Sequence, residues 1–350
     1  MAYSSIAKPT DYFNTVLYTG NAADGSSTTQ DITGVGFQPD WVWIKGRDNA
    51  NSNFVNDAVR GSNKALITDG TNAEITSTEY LKSFASDGFQ VGGDGIGNGN
   101  GNTYVSWNWK ANGSGSSNSD GSITSTVSAN TTAGFSIVSY TGTGATATIG
   151  HGLGSAPKWV IVKQRDNTRN WVVMHQGIGF TKYLYLDSNQ ASNTGNFFND
   201  TDPSSTVFNV VNDSGVNGSS GSYIAYCFAE KKGFSKFGSF TGNGNADGPF
   251  VYTGFKPAFV ITKTASAAYH WSTNDNKRNT FNPVDKRLYP SQSAVEATSD
   301  SYDVDFLSNG FKIRSSSVSF NNSGDNVIYM AFAENPFVGN DSGTAVPVTA

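Results

Sequence analysis

The feature that most limits what this chain can fold into is that it states one pattern three times. An aromatic-Thr-Gly step occurs at Tyr18-Thr19-Gly20, at Tyr140-Thr141-Gly142 and at Phe240-Thr241-Gly242. Each is followed by a Gly-x-x-Pro turn and an apolar run ending in lysine: Gly36 to Lys45 through Pro39, Gly154 to Lys163 through Pro157, and Gly254 to Lys263 through Pro257. The lysine stands six residues after the proline in all three. Each unit closes on an aromatic-rich segment, at Thr103 to Lys110, Ser222 to Glu230 and Val327 to Glu334. The first and third also share a Ser-Asp/Asn-Gly-Phe signal, at Ser86 to Phe89 and Ser308 to Phe311. Agreement of order, spacing and residue type makes each copy one structural unit.

These marks read as strands and turns. Proline presets φ and cannot donate to a ladder, so it is expected at a strand's entrance. The apolar residues after it describe a central strand covered on both faces. In the closing segment, Tyr104, Ser106 and Asn108 alternate with Val105, Trp107 and Trp109, the period of a strand buried on one face. Asp-Gly and Asn-Gly between apolar runs signal hairpins. The fold expected is therefore all-β: three tandem β-sandwich domains of jelly-roll or lectin-like type, over residues 1–128, 129–233 and 234–350. Asn112 to Asn118, almost wholly Asn, Gly and Ser, reads as a flexible linker that lets the first unit swing. The tight junction Glu230 to Phe234 should hold the other two in a fixed orientation. Helical period is scarce, with short turns expected at Thr78 to Phe84 and Ser293 to Thr298.

Composition excludes some partners. Net charge is −5 with no basic block, which leaves out the positive stripe that nucleic acid requires. Cys227 is the only cysteine; between Tyr226 and Phe228 it reads as a small buried hydrophobe rather than part of a disulfide framework. The opening residues lack the apolar core of a secretory signal, and no apolar run of about 18 residues exists. A leaderless protein without membrane insertion is the expectation.

Catalytic chemistry is thinly represented, and no enzyme is expected. The three histidines are His151, His175 and His270; His151 sits in a glycine turn before a strand, the wrong context for a phosphate loop. No Cys/His spacing suggests zinc. Asp303 and Asp305 fall on one face of an expected strand, and paired carboxylates are what glycoside hydrolysis needs; a charged strand edge is the plainer reading. The segment Gly92 to Asn102 faintly resembles a calcium-binding repeat but carries one carboxylate, Asp94. No catalytic residue, metal or cofactor is assigned. Aromatic side chains where the units differ most, namely Trp171, Tyr183, Tyr185, Tyr269 and Trp271, are the candidate ligand-binding residues, because rings on variable loops grip sugars or proteins.

The combination of Tyr-Thr-Gly, Gly-Phe-x-Pro-x-Trp-Val-x-Ile-Lys, Ala-Phe-Ala-Glu and the junction Gly233 to Gly244 resembles a repeat module of marine bacteriophage virion structural proteins, tail-fibre-like or surface appendages without an agreed activity. The close at Asn335-Pro336-Phe337 and Pro347 to Ala350 is similar too. What the resemblance implies is a virion component, assembled in the host cytoplasm and exposed on the particle surface: a tail fibre or appendage used in host attachment. Capsid decoration or a head fibre is the alternative, and a polysaccharide depolymerase a further one. Implied partners are other virion proteins, a host surface glycan and further copies of the chain, a trimer by analogy with fibres. The tail from Val338 to Ala350 is expected to add to a neighbour's sheet edge or dock to the virion.

Overall fold

The structure, a computed structural model, describes residues 4, 6–23, 25–336, 338–339 and 346–347. Almost all of its regular structure is antiparallel strand, arranged in several sheets. Its α-helices are the single turns Gly95–Asn98 and Val318–Asn321. The two helical turns expected from sequence are replaced by strand Leu81–Ala85 and by strand Ala297–Thr298. In the first case the Asp87-Gly88 signal folds Leu81–Ala85 back onto Gly88–Val91, and the ladder overrides a weak helical period.

Each repeat builds one larger sheet with the same four strands at its heart. In the first the order is Phe13–Thr19, Thr103–Trp109, Trp41–Gly46, Phe54–Asp57; in the second Phe135–Thr141, Ser222–Phe228, Trp159–Gln164, Val172–His175; in the third Ser235–Thr241, Asn326–Pro336, Phe255–Thr264, Ser272–Asp275. The aromatic-rich closing strand is central each time. Register makes positions equivalent: Trp107 lies between Thr15 and Trp43, Tyr226 between Ile137 and Ile161, and Met330 between Phe237 and Ile261. Pro39 and Pro157 precede their strands as expected. Pro257 instead lies inside Phe255–Thr264, where register shifts on either side of it form an irregularity that excuses the missing N–H.

A smaller sheet accompanies each larger one: Gln30–Thr33, Gly88–Val91 and Leu81–Ala85; then Ala147–Gly150 and Val207–Val210; then Phe250–Tyr252, Gly310–Ile313 and Val304–Leu307. Larger and smaller sheet share a dry cluster in each repeat. Val42, Ile44 and Tyr104 meet Ile32, Phe89 and Val91; Val138, Val160 and Val162 meet Ile149 and Phe208; Val260 and Ala331 meet Val251, Phe311 and Ile313.

The opposite faces of the three larger sheets turn toward one another and form a fourth cluster, to which all three repeats contribute and which holds all seven tryptophans. At its centre the equivalent rings of Trp109, Phe228 and Phe332 form a triangle with centroid separations of 6.4, 5.8 and 6.2 Å. The closing strands are thus covered on both faces, not one. Ser106 and Asn108 look toward the smaller sheet, yet they are fully buried because that side is also dry.

Contacts between repeats run in a ring. Backbone N–H groups of Glu74, Ser192 and Glu296 donate to the carbonyls of Arg165, Ala265 and Arg47 at 2.7, 2.8 and 2.7 Å, first repeat to second, second to third, third to first. The Trp171 indole donates to Ile67 O, the Trp271 indole to Tyr185 O and the Asn53 amide to Tyr289 O, again around the ring. The stretch 112–118 is no loose tether. Ala111 and Gly113 N–H groups donate to Asp40, Asn112 N–H donates to Ser128 Oγ, and Ser116–Asn118 is a strand on the second repeat's sheet. The first repeat is therefore held on both sides, contrary to the expected swing. Strand Ser125–Asn130 of that sheet runs across residue 128, the border expected between the first two units. Of the tail, Val338–Gly339 pairs with Val346–Pro347; the rest of it lies outside the described residues.

Candidate functional site

The five aromatics singled out from sequence divide three ways. Trp171 and Trp271, about 1% and 0% exposed, belong to the shared core and tie repeats together through their indoles. They are not surface rings, and the expectation for them is corrected: each occupies the position that Asn53 holds in the first repeat, and the shared core claims it. Tyr269 is half-buried on the loop after Phe255–Thr264. Tyr183 and Tyr185 do come together. Their rings lie 5.1 Å apart, and Phe197 stands 4.6 Å from Tyr183 in an edge-on arrangement.

This trio borders two adjoining hollows of about 290 and 270 Å³ that share Phe197 and Asp213. Burial, and then the neighbouring Tyr183 phenol, push the Tyr185 phenol above its usual range. Asp213 accepts the Gly215 N–H at 2.6 Å, so one of its oxygens is committed to the loop. The site offers ring edges and hydroxyls, with a single carboxylate.

A second site escaped the sequence reading. Val55 faces Leu66 and Val173 faces Leu184, eleven residues further on in each case; the equivalent Thr273 faces Leu288, fifteen residues on. The third repeat therefore carries four additional residues, and they bring Phe281 to the surface at 83% exposed. The loop is clamped at both ends. Asn279 donates to Asp285 at 2.7 Å and accepts the Lys286 N–H at 2.8 Å, while Asn282 exchanges two hydrogen bonds, of 3.0 and 2.9 Å, with the backbone of Phe306. A ring that costs apolar exposure is thus held out on a pinned support.

Beside it lie hollows of about 320 and 350 Å³ that share Asn276, Lys277 and Glu334. The first runs along the loop under Phe281; the second continues toward Lys8 and Pro9 near the start of the first repeat. Lys256 pairs with Glu334 at 3.4 Å. Lys277 is exposed, and its ammonium has no partner among the described residues. The signal that would have revealed this site is the count between equivalent core positions, which composition and motif scanning do not test.

The polar groups weighed for chemistry serve structure. Asp303 ends a short 3-10 turn rather than lying within strand Val304–Leu307, and Asp305 pairs with Arg314 at 3.5 Å at that sheet's edge. Asp94 caps the Gly95–Asn98 turn by accepting the Ile96 N–H at 2.8 Å. His175 is buried; its Nδ1 accepts the Gly177 N–H, so Nε2 carries the proton and donates to Tyr329 O at 3.1 Å. Burial holds its pKa down to about 4. Burial likewise raises the Cys227 thiol.

One family model matches, over residues 8–336, and its description is a domain of unknown function, DUF7483. The chain belongs to the DUF7483 family. No curated protein and no solved structure matches it. The DUF7483 match runs from Lys8, five residues before strand Phe13–Thr19, to Pro336, which ends the last closing strand, and so takes in all three repeats. Apart from Ala7, the residues that line both hollowed sites lie within the DUF7483 span.

Proposed function

We propose that this DUF7483 protein is three β-sandwich modules of jelly-roll or lectin-like type joined into one virion surface component, a tail fibre or appendage used by a bacteriophage in host attachment. The observation that carries the reading is the division of labour in the chain. Three equivalent frameworks are locked by the same ring of backbone contacts, while the hollows sit on stretches that differ between repeats, the Tyr183 region and the Phe281 loop. A rigid scaffold with variable loops is how proteins present binding surfaces. Partners under this reading are other virion proteins, further copies of the chain as a trimer, and a host glycan.

Capsid decoration is the second reading, favoured by the same self-contained body. A depolymerase is weakly supported, because each hollowed site offers one carboxylate, Asp213 or Glu334, where paired acids are needed. Antibody labelling of purified particles under the electron microscope tests the proposal. Label on the tail tip with blocked adsorption is the expected result; label over the head selects decoration, and unlabelled particles sink the virion reading.

A further inference from the structure

We propose that the Phe281 groove is a saccharide site, selective for an oligosaccharide with an anionic substituent such as a uronic acid carboxylate. The proposal deepens the attachment reading by naming the ligand class, and its chemistry is carried by the third repeat's own residues. Four observations converge on it.

The first is the insertion itself. Core positions keep an eleven-residue spacing in two repeats and a fifteen-residue spacing in the third, so the loop is an addition to a framework that closes without it. The second is Phe281. An 83% exposed phenylalanine contributes nothing to the dry interior, and its clamped base through Asn279 and Asn282 presents the ring in a fixed place. A flat aromatic face suits the C–H face of a pyranose, and fixing it beforehand removes part of the ordering cost of binding.

The third is the shape and polarity beside the ring. The hollow of about 320 Å³ is of the size that holds a small ligand, and its rim mixes amide and charged groups with the apolar Val284 and Phe306, the composition in which a few polar groups orient a ring. The fourth is charge. Glu334 is already answered by Lys256 at 3.4 Å, so Lys277 leaves the groove one positive charge in excess, on a chain whose net charge is −5. A local positive charge on an acidic protein selects for an anion by attraction at the site and by repulsion elsewhere. The adjoining hollow of about 350 Å³, reached past Asn276 and Lys277, gives room for a second sugar residue.

The test uses the full chain on an array of defined oligosaccharides that pairs each uronic-acid-containing glycan with its neutral counterpart. Binding to acidic members, at least ~10-fold stronger than to the neutral partners, is expected for the unaltered protein. Phe281→Ala should abolish it without changing the melting temperature, and Lys277→Gln should erase the preference for acidic sugars. Phe250→Ala, which removes an exposed phenylalanine that lines neither hollow of the groove, should leave binding unchanged. No glycan bound, equal binding to neutral partners, or binding kept in Phe281→Ala would each overturn the proposal. Its fate is separable from the virion reading: particles that lack the protein end the latter without touching the array result, and a blank array with labelled tails ends only the glycan site.

Discussion

Arg60 and Arg278 show what single residues contribute at the seams. Each is fully buried, bonded to the aspartate three positions earlier (Asp57 at 2.5 Å, Asp275 at 2.6 Å), and each reaches the glutamate that crosses to the next repeat: Arg60 to Glu74, Arg278 to Glu296, both at 3.2 Å. Arg165 and Arg47 grip the same glutamates through two nitrogens apiece from the neighbouring repeat, the geometry that makes such pairs strong. Although burial works against it, Arg165 and Arg60 hold the Glu74 carboxyl below its usual range. Replacing Arg60 with Ala leaves the buried Asp57 without its ion-pair partner, while Glu74 keeps Arg165, so a loss of ~3–5 kcal/mol is expected, read as a lowered denaturant midpoint. The second-to-third seam lacks these charges. His175 stands where Asp57 and Asp275 stand, Ile178 replaces the arginine, and Ser192 and Ala265 replace the outer pair. For His175 the folded pKa, about 4, lies below the ordinary 6.5. Between those two values the unfolded chain binds a proton that the folded chain refuses, so stability falls as pH drops from about 6.5 to about 4, by an amount on the order of 3 kcal/mol. Comparing unfolding of the parent and His175→Gln across that window checks this; equal slopes would remove His175 as the cause. None of this ring could be read from the sequence, because Glu74 and Arg165 are joined only when repeats meet in space. The three lysines were visible as a mark but not as a device. They are buried, with Lys45 donating to Ser293 O of the third repeat at 3.0 Å and Lys163 to Thr71 O of the first at 3.1 Å.

Elements were legible where local chemistry decides them. Strands after Pro39 and Pro157, the aromatic closing strands and the Asp87-Gly88 and Asn309-Gly310 hairpins all follow from turn residues and apolar spacing. Composition misled where partners were invisible. The Asn112 to Asn118 stretch has the residues of a flexible linker, yet Asp40 and Ser128 fix its start and strand Ser125–Asn130 pairs with its end. Gly115 is held against the backbone of Val127 at a positive φ of 81°, so the glycine meets a conformational demand rather than supplying looseness. Limited proteolysis should therefore spare residues 112–118 under native conditions; early cleavage there, seen by mass spectrometry, would restore the swinging first unit. The Phe281 loop was missed for the opposite reason: its importance lies in a difference of length between equivalent positions, which shows only once register is known.

At the scale of the whole molecule, the shared cluster couples the three repeats. Each larger sheet buries one face in its own repeat and the other against its neighbours. A single repeat cut free would expose the second face, with Trp41, Trp43, Trp107 and Trp109 in the first, an apolar patch of the kind that drives association. One calorimetric transition for the full chain is the expected result, and residues 1–111 expressed alone should aggregate or stay unfolded. Two or three separated transitions would show that the repeats fold independently. The sequence announced the all-β character and the repeated strand motifs. It could not announce their mutual core, because the same bulky residues satisfy a covered sheet whether the cover comes from within the repeat or from the next one.

That every indole lies in this one interior gives the protein a built-in optical gauge. Light emitted near the red end of the indole range signals wet tryptophans, and here wetting any of the seven means that the union of repeats has parted. Phe281 sits far from this signal in kind, being a ring that barely fluoresces. A sugar settling on it should leave the emission silent, so a colour change on titration reports the body coming apart and never the cargo arriving.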